Sequence, residues 1–160
     1  MTTTKAELVG KYLQNDLIFL QQSLETTDQV FELVNKEAMK DDLVTDNFLT
    51  KIKKREATYP TGLQLEHDGV AIPHTDADTI KHEFIAVLVN KNGIPFKRMD
   101  DAHITVKAHV IFVLGLNNPH AQLTMLQNLM EIIQDNEFMD KLKQTSSKEA
   151  VFKLFDTKMK

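Results

Sequence analysis

The sequence predicts an α/β fold: a mixed sheet of roughly five strands, flanked by helices on both faces. Two uninterrupted apolar runs of strand length, residues 84–89 and 110–114, indicate strands, and the second indicates a strand that helices cover on both faces. Segments with apolar residues at helical spacing alternate with these runs. Because 160 residues suit one domain and no linker or repeat divides the chain, we expect a single domain over residues 1–160.

The first half of the chain contains one predicted strand and two predicted helices. Residues 17–20 are apolar and of strand character. A helix should follow, capped by Thr26 or Thr27, since serine, threonine and aspartate side chains bind the free N–H groups of a first helical turn. Its inward positions are Val30, Leu33, Val34 and Ala38. A second helix should begin at about Thr45, with Phe48, Leu49 and Ile52 on its apolar face and basic residues near its end.

The second half supplies the predicted centre of the sheet. Residues 84–89 should form a strand that ends in a tight turn at residues 91–93, with a short return strand at 94–96. The run at 110–114 should lie centrally in the sheet. Asn118 followed by Pro119 is a strong helix start. Two further helices are expected around residues 137–142 and 147–155, the last capped by Ser146 or Ser147.

Composition excludes several classes of function. The formal net charge of −4 argues against binding to a nucleic-acid backbone. The chain has no cysteine, which excludes a disulfide framework and a cysteine nucleophile of its own. The N-terminal residues contain no apolar signal core, and no apolar run approaches membrane-spanning length. We therefore expect a cytoplasmic location.

Residues 69–76 place one imidazole at the end of an apolar strand. Pro73 lacks an N–H, so regular strand pairing should fail there and present His74. A histidine in this position can act as a general base, a metal ligand or a nucleophile. A second histidine, His120, falls in the first turn of the helix that Asn118 caps, where the helix dipole favours a neutral ring and free N–H groups attract anions.

Four motifs together resemble the IIA component of the bacterial phosphoenolpyruvate-dependent sugar phosphotransferase system, fructose/mannitol type. They are Arg55-Glu56, Tyr59-Pro60-Thr61-Gly62-Leu63, Gly69-Val70-Ala71-Ile72-Pro73-His74-Thr75, and Pro119-His120 with Leu123 and Leu126 following. The resemblance extends from about Val30 to Leu154. The Pro-Thr-Gly-Leu segment and the Ile-Pro-His-Thr-Asp ending are most similar to the galactitol-specific subgroup.

The resemblance implies a phosphotransferase that works through a phosphohistidine and uses no cofactor or metal. His74 would accept a phosphoryl group from the histidine phosphocarrier protein HPr and pass it to a cysteine of a IIB partner, which would serve a IIC membrane permease. The resemblance gives Arg55 and His120 the role of stabilising the phosphoryl group. Asp76, Asp78 or a backbone carbonyl could hold the other ring nitrogen of His74.

Two alternatives to this carrier function remain at this point. A regulatory relative would keep the same phosphorylated histidine but use its phosphorylation state to control a partner. A metal-dependent hydrolase is the other alternative, since imidazole and carboxylate ligands could hold zinc or another divalent metal. The candidate ligands are His67, His74, Asp76, Asp78 and His82.

Overall fold

Five strands form one mixed sheet in the computed structural model, which describes residues 5–157. The strands are β1 (Leu13–Gln22), β2 (Gly62–Gln64), β3 (Gly69–Ala71), β4 (Phe84–Lys97) and β5 (Thr105–Gly115). Their order across the sheet is β1-β4-β5-β3-β2, with parallel pairing of β1 to β4 and of β3 to β5 and antiparallel pairing elsewhere. The run at 110–114 is therefore central, as predicted. The two ends of the predicted domain, 1–4 and 158–160, lie outside the described residues.

Within the described residues, six α-helices cover the two faces of this sheet. They are α1 (Lys5–Gly10), α2 (Thr27–Lys40), α3 (Phe48–Thr58), α4 (Pro119–Ile132), α5 (Asn136–Gln144) and α6 (Lys148–Thr157). One core contains buried side chains of α2 and α3, such as Val34 and Phe48. The other contains buried side chains of the remaining helices, such as Leu129 and Phe138. Alternate residues of a central strand supply both cores, for example Phe112 to one and Ile111 to the other. The predicted α/β class is confirmed.

Capping residues begin three of these helices where the sequence predicts a start. Thr26 accepts a hydrogen bond from the backbone N–H of Gln29, and the Gln29 side chain bonds the N–H of Thr26 in return. Asn118 caps α4, and Ser147 Oγ accepts from the N–H of Ala150 in α6. The second predicted helix begins at Phe48 rather than at about Thr45, with Asn47 in the cap position.

The predicted turn at residues 91–93 is wrong. Residues 84–97 form one long strand, β4, whose pairing with β5 shifts register between Val89 and Ile94. The chain bulges there and continues in the same direction. Gly93 allows the two strands to approach closely at the bulge. Any other residue would place its Cβ only 2.3 Å from Cβ of Lys107, which is a steric clash. The pairing of β1 with β4 ends at Asn90. The missing N–H of Pro95 therefore costs no hydrogen bond to β1.

Three short elements of residues 5–157 lie outside what the sequence predicts, and one of them is a single 3₁₀ turn at Ala77–Thr79. Helix α1 packs against α4 and α6 through Ala6 and Val9, both fully buried. Strand β2 pairs with β3 at the edge of the sheet. Over residues 5–157, none of the helices combines the length and the apolar character needed to cross a membrane.

Candidate functional site

His74 lies at the carboxyl end of β3, beside the centre of the sheet. The regular ladder of β3 ends at Ala71, and one isolated bridge returns at His74 opposite Leu114 of β5. The N–H of Leu114 donates to the carbonyl of Pro73 at 2.9 Å, so the proline is held through its oxygen. The interruption of the ladder at Pro73 follows the prediction, and the single bridge fixes the backbone of His74.

A backbone carbonyl holds the ring of His74. Nδ1 lies 3.0 Å from the carbonyl oxygen of Ile72. Because a carbonyl can only accept, Nδ1 carries the proton, and Nε2 keeps an unshared electron pair. Of the three predicted acceptors, Ile72 takes this role, and Asp76 and Asp78 do not. Burial lowers the pKa of His74, the positive charge of Arg55 lowers it further, and the bond to Ile72 opposes both effects. The neutral, nucleophilic form is therefore favoured.

Arg55 lies in the last turn of α3, close enough for its charge to act on the His74 ring. Its guanidinium lies 5.2 Å from the centre of the Tyr59 ring, and Nη1 lies 3.8 Å from Oδ1 of Asp76. Nζ of Lys51 lies 3.5 Å from Asp76 and 3.4 Å from Asp78. A cavity of about 310 Å³ opens between these groups, and its lining residues are Lys51, Lys54, Arg55, Thr58, Tyr59, Thr75 and Asp76.

The first turn of α4 is joined to the loop that follows His74. Oδ1 of Asn118 accepts from the N–H groups of His120 and Ala121, at 2.8 and 3.2 Å. The amide of Gln122 donates to the carbonyls of Thr75 and Leu116, both at 3.0 Å. The side chain of His120 is exposed in this turn. The segment after His74 and the helix start that carries His120 therefore lie side by side.

Sequence reasoning missed three residues at this site. Lys51 looks like one member of a basic helix face, but the loop after His74 brings two carboxylates to it. Gln122 looks like a polar helix residue, but it is the link between α4 and Thr75. Glu56 belongs to the Arg55-Glu56 motif and is 9% exposed. No local pattern distinguishes Lys51 and Gln122 from solvated side chains, because their partners Asp76, Asp78 and Thr75 are distant in sequence. The partner of Glu56 is Thr61, five residues ahead, but charge alone does not predict that an acidic side chain beside Arg55 is buried.

The proposed metal cluster does not form. Among residues 5–157, no three histidine, aspartate or glutamate side chains converge in a way that could hold a metal ion. His67 and His82 are exposed, and Asp76 and Asp78 contact Lys51 instead. The geometry thus favours a histidine nucleophile with cations beside it, which suits transfer of an anionic group.

The chain matches proteins of one family over nearly its whole length. The family model described as "Phosphoenolpyruvate-dependent sugar phosphotransferase system, EIIA 2" matches residues 11–158. The galactitol-specific EIIA component of Escherichia coli K12 is 28% identical over 127 residues, which cover 78% of this chain and 84% of that protein. The mannitol-specific enzyme IIA component of Staphylococcus aureus N315 is 25% identical over 151 residues, with 92% and 97% covered.

A solved structure gives the same fold. Enzyme IIA for mannitol from Escherichia coli, determined in complex with phosphorylated enzyme IIB, superimposes with a TM-score of 0.72 at 20% identity. The alignment covers 89% of this chain and 96% of that one. The match of the family model over residues 11–158 shows the family, and the five-stranded sheet with helices on both faces agrees with it. The chain belongs to the type 2 EIIA family of the phosphoenolpyruvate-dependent sugar phosphotransferase system, and it is a phosphotransferase of the phosphocarrier kind.

Proposed function

We propose that this protein accepts a phosphoryl group from HPr on Nε2 of His74 and passes it to a cysteine of a IIB partner, for the uptake of galactitol. One observation carries the proposal. The carbonyl of Ile72 holds Nδ1 of His74 in its protonated form, which leaves the electron pair of Nε2 free to attack phosphorus.

The transfer of the phosphoryl group to His74 requires no proton transfer. The bond between phosphorus and the donor's histidine nitrogen breaks as the bond to Nε2 of His74 forms, and the electron pair of the broken bond stays on the donor ring. Nδ1 keeps its proton, so the phosphorylated ring gains a positive charge. The carbonyl oxygen of Ile72, 3.0 Å away, stabilises that charge. The lowered pKa of His74 keeps the ring neutral before attack.

Arg55 and His120 stabilise the transferred group in this proposal. Phosphoryl transfer depends mainly on alignment and on donors placed around the equatorial oxygens. Arg55 supplies a permanent positive charge beside the His74 ring. His120 supplies an exposed ring in the first turn of α4, where the helix dipole also attracts negative charge.

The outgoing transfer requires a thiol on another chain, since this one has no cysteine. The mannitol IIA neighbour, determined with phosphorylated IIB, supports a IIB protein as the acceptor. The galactitol-specific relative, 28% identical, supports galactitol as the sugar, with a IIC permease served indirectly through IIB. No step needs a cofactor or a metal.

Intact mass tests the first half of the proposal. The purified chain is incubated with phosphoenolpyruvate, enzyme I and HPr. We expect the gain of one phosphoryl group, dependent on HPr, and none in His74→Ala. Wild-type chain that stays unmodified in the presence of phosphorylated HPr would contradict the proposal. The same would follow if His74→Ala were phosphorylated as well as the wild type.

Onward transfer tests the second half and separates a carrier from a regulator. The phosphorylated chain is mixed with purified galactitol-specific IIB and, separately, with mannitol-specific IIB. We expect the label to leave His74 faster for the galactitol protein and to appear on its cysteine. A phosphorylated chain that keeps its label with both would instead indicate a regulator. Faster transfer to the mannitol protein would contradict the assigned sugar.

A further inference from the structure

Glu56 is a buried acid that the transfer chemistry described above does not use. It follows Arg55 in α3, but its side chain points into the protein, and only 9% of the residue is exposed. Both of its oxygens have partners on one residue. Oε2 accepts from the backbone N–H of Thr61 and Oε1 from the hydroxyl of Thr61, each at 2.8 Å. A buried carboxyl group with two hydrogen bonds to one residue holds that residue in place.

Thr61 leads from Glu56 to the residue that holds His74. The carbonyl of Thr61 accepts from the N–H of Ile72 at 3.3 Å, just beyond the point where β2 and β3 pair. The carbonyl of Ile72 in turn accepts from Nδ1 of His74 at 3.0 Å. Successive hydrogen bonds therefore connect the Glu56 carboxylate to the reactive ring.

Pro73 makes this connection necessary. It has no N–H, so the backbone between Ile72 and His74 has fewer bonds than an ordinary strand. On the β5 side, that backbone is held by the bond from Leu114 to the Pro73 carbonyl. On the β2 side, the last backbone bond before His74 is the one between Thr61 and Ile72. Movement of Thr61 would therefore move the Ile72 carbonyl.

We propose that Glu56 is a positioning residue for His74: by fixing Thr61, it fixes the Ile72 carbonyl that keeps the proton on Nδ1 and the electron pair on Nε2. This inference rests on the proposed function, in which Nε2 of His74 attacks phosphorus. Glu56 touches neither the ring nor the phosphoryl group, and it acts through the backbone of Thr61 and Ile72.

Two substitutions at position 56 separate the hydrogen bonds from the charge. Glu56→Ala removes both acceptors and leaves the Thr61 N–H and hydroxyl unpaired. Glu56→Gln keeps both bonds without the charge, because its carbonyl can accept from the Thr61 N–H and its amide can donate to the Thr61 hydroxyl. Glu56→Gln is therefore the variant that should rescue positioning.

Asn90→Ala is the matched control for lost stability. Asn90 is also buried, and its side chain accepts from the N–H of Leu24 at 2.8 Å and donates to the Leu24 carbonyl at 3.0 Å. It lies on β4 six residues from Phe84, which is the end of that strand nearest the His74 bridge. Its loss should destabilise the fold but leave the His74 ring unchanged.

The first measurement is the ¹⁵N chemical shifts of the His74 ring, in variants shown by circular dichroism to be folded. We expect the Nδ1–H form in wild type, Glu56→Gln and Asn90→Ala. In Glu56→Ala we expect a mixture of the two tautomers. This readout needs no phosphoryl donor, so it stands even if HPr fails to phosphorylate the chain. A failure of that kind would count against the proposed function alone.

The second measurement is the rate of His74 phosphorylation by HPr. We expect Glu56→Ala to be slower by about tenfold, because small displacements of a reacting group cost that much or more. Glu56→Gln and Asn90→Ala should stay near the wild-type rate. Folded Glu56→Ala with wild-type ring shifts and rate would overturn the inference.

If Glu56→Ala does not fold, Thr61→Val removes only the hydroxyl bond and should cause a smaller change of both readouts. Unchanged readouts in Thr61→Val would then overturn it.

Discussion

Arg55 and Glu56 are neighbours in the chain, yet their side chains lie in opposite environments. Arg55 is partly exposed beside Tyr59 and Asp76, whereas Glu56 is buried against Thr61. Burial raises the pKa of Glu56 to about 7, although its two hydrogen bonds from Thr61 oppose the rise. A cleft borders Glu56, and its other charged lining residues are Asp28 of α2, Lys53 of α3 and Lys97 of β4.

The raised pKa makes stability depend on pH in a defined direction. Glu56 binds its proton more tightly in the folded protein than in the unfolded chain, where the pKa of a glutamate is about 4.5. The stabilisation that Glu56 contributes to the folded state is therefore fully present below pH 4.5 and is lost as the pH rises through 7. We expect the free energy of unfolding of the wild type to fall by up to about 3 kcal/mol over that range, relative to Glu56→Gln. Urea unfolding of both proteins at several pH values measures this difference. Parallel pH profiles would contradict it.

The lowered pKa of His74 gives a second pH prediction. Burial and the charge of Arg55 disfavour the imidazolium, so the ring should titrate below its ordinary value of 6.5. The NMR shift of the His74 Cε1–H against pH measures the midpoint, and the spectrum of His74→Ala assigns the signal. Arg55→Gln should move the midpoint upwards, because it removes the positive charge. A wild-type midpoint at or above 6.5 would contradict this account of the site.

Elements that depend on local chemistry are the ones the sequence predicts well. Thr26 and Asn118 begin α2 and α4 because their oxygens bind N–H groups two and three residues ahead, which a short window of sequence can reveal. The bulge in β4 is different. An Asn-Gly pair favours a tight turn locally, but here the pairing with the distant β5 strand continues past it, and the pair lies in a bulge instead.

The cap of α4 supports the helix start that carries His120. Asn118→Ala should lower the free energy of unfolding by about 1 kcal/mol, because the N–H groups of His120 and Ala121 lose their acceptor. Asn118→Asp keeps an acceptor oxygen and should stay close to the wild type. Urea unfolding at neutral pH measures both. Equal stability of the alanine variant and the wild type would show that the cap contributes nothing.

The site as a whole assembles from segments that are far apart in the chain. The end of α3, the loop after β3 and the start of α4 meet at one end of the sheet, through the contacts of Arg55 with Asp76 and of Gln122 with Thr75. Sequence reasoning predicted His74, Arg55 and His120 as site residues by resemblance to a family, and these roles stay predictions. It could not predict Lys51 or Gln122, because long-range packing places their partners.

One reactive nitrogen must serve two partners in the proposed function. Nε2 of His74 can contact either the donor histidine of HPr or the acceptor cysteine of IIB, but not both together. Each partner must bring its reactive atom to this one nitrogen at the end of β3. The docking surfaces for HPr and IIB must therefore overlap.

Competition between the two partners follows from that overlap. A IIB variant with serine in place of its acceptor cysteine should slow phosphorylation of His74 by HPr. It binds the surface around His74 but cannot accept the phosphoryl group. Raising the HPr concentration should restore the rate, as in competitive inhibition. The measurement is the initial rate of label incorporation at several concentrations of each protein, with bovine serum albumin in place of IIB as the control. An unchanged rate with the chain saturated by inert IIB would mean that the two partners bind separate surfaces.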